Sequence, residues 1–357
     1  MTPMWPGVGP RPRDELAQWS DAPAADIALA PVPGFTEPSP PGRVHLVGGR
    51  GVFVRRTAGP SDGPEAWYIH GLAGASGNWD RLAAALSVVA TGWAPDLPGS
   101  GRSDPPPGGR YPLVGEADLV AALIKKLSPG PVHLAGNSRG GVVATYLAAR
   151  HPDLVRSLTL ISPAVPDLRL VGERGADARL ALLMLPGTTA AAERRLAALT
   201  PLARARGMAA VCFGEPEALS DADLAAAEQE IAWRSDLPWV HRATIDSLRS
   251  LIRAQLMPLR WSFAAAARQV RVPVLVVWGT RDRLVDVRLA RRTADAFADA
   301  RLLVLPRTGH VAQMERPVET ARAVAALWST ADRRSGSDPV PVPAGAPQPV
   351  AARPVAT

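Results

Sequence analysis

Short apolar runs alternate with stretches of helical spacing along most of the chain, and this alternation is the strongest constraint on its fold. Ala66–His70 is a compact apolar run ended by Gly71. In Trp79–Val89 the residues Trp79, Leu82, Leu86 and Val89 share one helical stripe. Gly92–Asp96, Val132–Asn137 and Val155–Ser162 read as strands, with Leu113–Leu127 and Arg139–Arg150 as helices among them. Val272–Trp278, Asp286–Ala298, Leu302–Leu305 and Pro317–Thr330 resume the pattern as strand, helix, strand, helix. Strands linked by helices run parallel, and the linking helices cover both faces of the sheet. Ahead of this series, Arg43–Val47 and Val52–Thr57 flank Gly48-Gly49 and read as an antiparallel hairpin.

The alternation breaks between about Ala164 and Ala267. That interval is rich in Ala, Leu and Arg, is helical in character and shows no strong strand. It reads as an insertion between two sheet strands, with Trp233, Trp239 and Trp261 as its own core. A second reading has one of these tryptophans lining an apolar pocket that faces the sheet. The chain then divides into a Pro/Ala-rich N-terminal extension (1–41), a sheet domain in two pieces (42–163 and 268–332), a helical cap (164–267) and a Pro-rich tail (333–357). Neither end has a sustained period, so both read as mobile extensions, apart from a short helix around Asp14–Ser20.

Composition narrows the function classes. The 357 residues are 47% hydrophobic and 20% charged, enough apolar material for a substantial core. The longest uncharged stretches, such as Leu82–Pro95, are too short to span a bilayer. Prolines at positions 3, 6, 10, 12 and 23 break any leader-like apolar segment. The formal net charge is +7, but the only lysines are Lys125 and Lys126, and the arginines form no dense run with aromatic residues between them. That pattern argues against a nucleic-acid partner and for a small-molecule substrate. Cys212 is the only cysteine, which excludes an internal disulfide and fits a cytoplasmic location.

Gly136-Asn137-Ser138-Arg139-Gly140 places a serine between an apolar strand and an amphipathic helix. This is the context of a nucleophile elbow, in which small residues let strand and helix approach across a sharp turn. Serine attacks only when a base takes its proton. Among the six histidines, His310 lies just beyond the last strand, where a loop brings it over the sheet edge. His45 and His133 sit on strands, His151 ends a helix and His241 lies in the insertion. His70 closes the third strand. The base needs a carboxylate partner. Asp282 follows the strand of VPVLVVWGTRDRLVD; Asp286 better suits a helix cap, and Asp167 is a third option. For an oxyanion, the N–H of Arg139 and that of Leu72 in HGLAGASGNW are the candidate donors. His70 and Gly71 shape that loop and are assigned to substrate binding. Arg139 also offers its side chain for a substrate carboxylate.

Together the motifs resemble the α/β-hydrolase superfamily over about residues 43–331. They are His70-Gly71, the Asp96–Ser103 stretch DLPGSGRS, GNSRGG at the elbow, GTRDRLV around Asp282 and TGH at His310. The resemblance implies an eight-stranded, mostly parallel sheet with helices on both faces and a helical cap after strand six. It implies that Asp96 and the turn after it are structural, with Ser103 and Asp104 holding the floor of the site. A serine at position 138 argues against haloalkane dehalogenases and epoxide hydrolases, which use aspartate there. The expected reaction is ester hydrolysis through an acyl-enzyme, on a small or medium apolar substrate and without metal or organic cofactor. Alternatives are cleavage of a carbon–carbon bond in meta-cleavage-type diketones, a perhydrolase-like side activity, and an inactive scaffold. Val311 stands where the carbon–carbon hydrolases usually carry Trp.

Overall fold

The computed structural model describes residues 13–167, 188–256, 262–334 and 336. Trp261, residues 1–12 and the tail beyond 336 lie outside the described residues. Strands β1 (Gly42–Val47), β2 (Arg50–Thr57), β3 (Glu65–Ile69), β4 (Thr91–Pro95), β5 (Val132–Asn137), β6 (Val155–Ile161), β7 (Val274–Gly279) and β8 (Ala300–Leu305) build one sheet. Its order is β1-β2-β4-β3-β5-β6-β7-β8. The β1–β2 and β2–β4 pairs are antiparallel and all the others parallel. Gly48 and Gly49 turn the hairpin at φ +57° and +75°, a pair of values that glycine adopts without steric cost.

The helices are α1 (Asp80–Leu86), α2 (Leu113–Leu127), α3 (Arg139–Arg150), α4 (Thr188–Ala197), α5 (Pro201–Cys212), α6 (Asp221–Ser235), α7 (Val240–Gln255), α8 (Phe263–Ala267), α9 (Ala290–Ala294), α10 (Ala312–Glu315) and α11 (Pro317–Arg334). Central strands β5 and β7 are buried at every residue, as parallel strands covered on both faces must be. Two apolar clusters form, one per face. The first joins Leu123 and Ile124 of α2, Val143 and Leu147 of α3, and Ala290 of α9 to Trp67, Leu134 and Val276 of the sheet. The second joins Leu82 and Leu86 of α1 and Val324 and Trp328 of α11 to Tyr68, Ala135 and Val277. Alternate residues of one strand thus feed opposite clusters.

Between β6 and β7 the described chain holds helices α4–α8 and no strand. Trp233, expected in a small core there, is 38% exposed. It lies instead on the guanidinium of Arg102, 4.4 Å from its ring centroid. An amphipathic indole over a cation needs no core to be stable.

The N-terminal extension also differs from expectation. Residues 13–41 are not a loose extension. A 3₁₀ turn at Asp14–Trp19 is followed by three residues that pair with β8. Asp21 and Ala22 N–H both donate to the Leu302 carbonyl, at 2.8 and 3.1 Å. Leu302 N–H donates to Asp21 Oδ1 at 2.7 Å, and Val304 N–H to Ser20 Oγ at 2.8 Å. Leu16 and Trp19 pack on the first cluster, and Ala22, Ala25, Ile27 and Leu29 on the second. The segment therefore wraps the open edge of β8 and touches both faces of the sheet.

Candidate active site

Ser138 stands between β5 and α3 with φ +53° and ψ −119°, a conformation costing about 1–3 kcal/mol for a residue with a side chain. The surroundings enforce it. A Cβ on Gly136 would lie 2.3 Å from the Gly140 carbonyl oxygen, and one on Gly140 would lie 2.2 Å from that of Ile69. Neither position tolerates a side chain. Ser138 N–H donates to Ile161 O at 2.9 Å, and its carbonyl accepts from Gly141 and Ala164 N–H at 3.0 and 3.1 Å. The backbone is fixed on both sides while Oγ sits at the partly exposed apex, at the positive end of the α3 dipole.

His310 Nδ1–H donates to Asp282 Oδ2 at 2.8 Å, both side chains being buried. Asp282 Oδ1 accepts from Leu284 and Val285 N–H, each at 2.9 Å. Every oxygen of the carboxylate is occupied, so its orientation is set before anything binds. Asp286 caps the 3₁₀ turn that follows, accepting from Arg288 N–H at 2.9 Å, and is not a partner of His310. Asn137, the residue before Ser138, donates from Nδ2 to the carbonyls of His310 and Ile161, each at 3.0 Å. The elbow thus carries a tether to the backbone of His310. No role for Asn137 was expected from the sequence, since its partner lies 173 residues away.

The loops carrying Asp282 and His310 are locked to the chain after α5. His310 N–H donates to the Cys212 carbonyl at 2.7 Å. Glu315 bridges Gly309 N–H at 2.8 Å and Gly214 N–H at 2.7 Å. Arg283 donates to the Ala210 and Phe213 carbonyls at 2.8 and 2.7 Å. The approach is so close that a Cβ on Gly309 would lie 2.3 Å from Cys212 O. Burial pushes the Glu315 carboxyl up to about 7, against the backbone N–H groups that hold it. Burial likewise pushes the Cys212 thiol up to about 12, with Asp282 and Glu315 adding to it, so this cysteine is packing rather than a nucleophile.

Gly71 lies against the elbow: a Cβ there would be 3.2 Å from Ser138 Cβ. Leu72 follows in the turn. Among the described residues no acceptor meets the N–H of Leu72 or of Arg139. Ala73, next in the turn, has φ +57°, and its carbonyl accepts from Arg234 of α6 at 3.1 Å. His70 shapes the loop as expected but is not placed to bind substrate. Its Nδ1–H donates to Gly71 O at 2.7 Å, and its Nε2 accepts from Leu97 N–H at 2.9 Å. Both ring nitrogens serve the backbone and the side chain is buried, so it braces the loop and has no nitrogen for a ligand. Burial pulls it down to about 4, with the Asp96 carboxylate opposing. Asp96 accepts from Ser76 N–H at 2.7 Å and Arg102 N–H at 2.8 Å, while Ser103 and Asp104 bond to Phe53 and Gly51 of β2. That turn ties the site to the sheet.

Arg139 also departs from expectation. Its side chain, 2% exposed, is ion-paired to Glu116 of α2, itself 3% exposed. The pair answers the buried charge internally, and the guanidinium is not presented to a substrate carboxylate. Burial raises the Glu116 carboxyl and Arg139 opposes it. His133 has Ser157 Oγ at 2.8 Å on one nitrogen and Asp332 Oδ1 at 3.5 Å from the other. This imitates a catalytic arrangement, but the ring is sealed in the core and stacked on Trp328 at 4.7 Å. His151 bonds Asp118 at 2.9 Å at the end of α3. Among the described residues no cluster of His, Cys, Asp and Glu is arranged to hold a metal, and no helix is long and apolar enough to cross a membrane.

Comparison with known proteins identifies the family to which this fold belongs. The family described as the alpha/beta hydrolase fold matches residues 68–317. Lipase LipV of Mycobacterium tuberculosis is 31% identical over 271 residues, covering 74% of this chain and 94% of that protein. The pimeloyl-[acyl-carrier protein] methyl ester esterase of Chromobacterium violaceum is 28% identical over 264 residues, covering 74% and 93%. Among solved structures, a membrane phospholipase A described as a bacterial virulence factor superposes with a TM-score of 0.66 at 26% identity, covering 82% of this chain and 86% of that one.

Proposed function

Since the chain belongs to the α/β-hydrolase family, we propose that it is a serine hydrolase that cleaves carboxylic esters through an acyl-enzyme. The observation that carries this reading is the buried Asp282–His310 hydrogen bond, at 2.8 Å, tied through Asn137 to the strand-to-helix turn that holds Ser138 at φ +53°. Ser138 Oγ attacks the ester carbonyl as His310 Nε2 takes its proton. Asp282, bound to Nδ1–H, stabilises the imidazolium and fixes the tautomer. The N–H groups of Leu72 and Arg139 receive the oxyanion, where one such donor is worth about 3–4 kcal/mol. His310 returns the proton to the departing alkoxide. Water, deprotonated by the same histidine, then releases the acid and regenerates Ser138. Two relatives named as a lipase and a methyl ester esterase support an ester as the substrate. The Ala-rich helices α4–α7 favour a small or medium apolar substrate.

Hydrolysis of p-nitrophenyl esters of increasing chain length, with Ser138→Ala as control, tests the proposal. Turnover by the native protein that the variant loses supports it, and the length profile sizes the acyl pocket. Absence of turnover across the whole series would overturn it as an esterase.

A further inference from the structure

One side chain of the N-terminal extension reaches both loops that carry the acid and the base. Asp14 opens the 3₁₀ turn that precedes the β8 contacts. Its Oδ1 accepts from Thr280 Oγ1 and, at 3.1 Å, from Arg307 N–H. Its Oδ2 accepts from Arg281 Nη2 at 3.0 Å. Thr280 and Arg281 directly precede Asp282, and Arg307 lies three residues before His310. The two loops are also joined beneath Asp14. Arg307 N–H reaches Thr280 Oγ1 at 3.0 Å, and Arg281 N–H donates to Thr308 O at 2.8 Å. Arg13 N–H adds a bond to Thr280 O at 3.1 Å.

The physical consequence concerns spacing. Asp282 and His310 hang from the ends of two neighbouring strands, and their hydrogen bond depends on how far apart the loops stand. A carboxylate that accepts from one loop's backbone and from the other loop's side chains holds that distance from outside the site. The backbone pairing of residues 21–22 with β8 anchors Asp14 itself, so little further ordering entropy is spent when it bonds. Glu215, between α5 and α6, repeats the bridge on the outer side, accepting from Arg281 Nη1 at 3.2 Å and Arg307 Nε at 2.7 Å.

We propose that Asp14 is a positioning residue for the Asp282–His310 pair, acting on it through the loops at Thr280–Arg281 and Arg307. The kinetic arm of the test rests on the serine-hydrolase reading; the spectroscopic arm does not. Asp14→Ala, Asp14→Glu and Asp14→Asn are compared with Ser20→Ala, which loosens the extension from Val304 without touching either loop. For Asp14→Ala, kcat falls about tenfold with KM within about twofold, the scale of a sub-ångström misalignment of reacting groups. The low-field proton resonance of His310 Nδ1–H moves upfield as the bond to Asp282 lengthens. Asp14→Glu, which keeps the carboxylate, recovers part of both. Ser20→Ala lowers Tm and leaves both unchanged. An Asp14→Ala protein that loses only Tm, like Ser20→Ala, would overturn the proposal and leave Asp14 a simple anchor. Should Asp14→Ala not fold, Asp14→Asn decides instead, since it keeps one acceptor oxygen and removes the charge opposite Arg281. If the native protein turns over no ester, the esterase reading falls while the resonance still decides the role of Asp14.

Discussion

The amide of Asn137 donates to the carbonyl of His310 at 3.0 Å, so the residue ahead of Ser138 holds the backbone of His310. The same nitrogen also meets Ile161 O, on the neighbouring strand, at 3.0 Å. Replacement by alanine leaves two buried carbonyls without that donor, a loss of about 1–3 kcal/mol. We expect Asn137→Ala to lower both Tm and kcat. Asn137→Asp turns a donor into an acceptor facing two acceptors and is the more damaging change. Thermal melts and ester kinetics on the two variants measure the difference.

Asp282→Asn keeps the shape of the acid but presents an amide to His310. The imidazole then adopts the wrong tautomer, and kcat falls by about 10⁴-fold. Asp286→Asn is the internal control. Asp286 caps a turn, so kcat stays within about twofold while stability drops modestly. Equal losses in the two variants, measured by steady-state kinetics, would reverse the assignment of the acid.

Arg139 and Glu116 are a buried pair, and removing one partner strands the other. Arg139→Met alone should destabilise by about 3–5 kcal/mol, and the double variant with Glu116→Leu should regain most of it. Chemical denaturation of the single and double variants closes the cycle. Esters bearing a remote carboxylate should show no advantage over neutral ones, because the guanidinium is already engaged.

Two buried groups bend the pH dependence of stability in opposite senses. His70, pulled down to about 4, resists protonation in the fold, while the unfolded chain protonates near 6.5. Its contribution is complete above 6.5 and is lost as pH falls towards 4. Glu315, pushed up to about 7 from 4.5, favours the neutral form in the fold. Its contribution is present at low pH and is lost as pH rises from 4.5 through 7. Glu315→Gln therefore steepens the fall in stability on acidification, and His70→Gln flattens it. Urea midpoints between pH 4.5 and 7.5 test both signs.

Much of this architecture was legible before any coordinates. The bounds expected for α2, β5 and α3 are those observed, because a continuous apolar strand and an amphipathic helix meet at glycines that forbid any other connection. The proximity of Asp282 and His310 was legible for a similar reason: each follows an apolar strand, and parallel neighbours deliver their ends to one edge. The extension was misread because Pro and Ala give no periodic signal, and its pairing to β8 uses only Ser20, Asp21 and Ala22. Arg139 was misread because nothing local marks Glu116, one helix earlier, as its partner. His70 shapes its loop as expected, but its assignment to substrate binding failed because Leu97 N–H, just beyond the neighbouring strand β4, takes its second ring nitrogen. In each case the missing information was the identity of a distant neighbour.

The strip of chain along β8 has a further consequence for how the molecule behaves among its own copies. A sheet has two ends at which a foreign strand can add, and here they are unequal. At β1 no strand of the described residues pairs with the outer edge, and Val44 and Leu46 are 58% and 69% exposed. At β8 the groups of Leu302 and Val304 that would template such growth are already taken by Ser20, Asp21 and Ala22. Shortening the chain past Ala22 would bare a second sticky end, and a molecule with two can polymerise where a molecule with one can only pair.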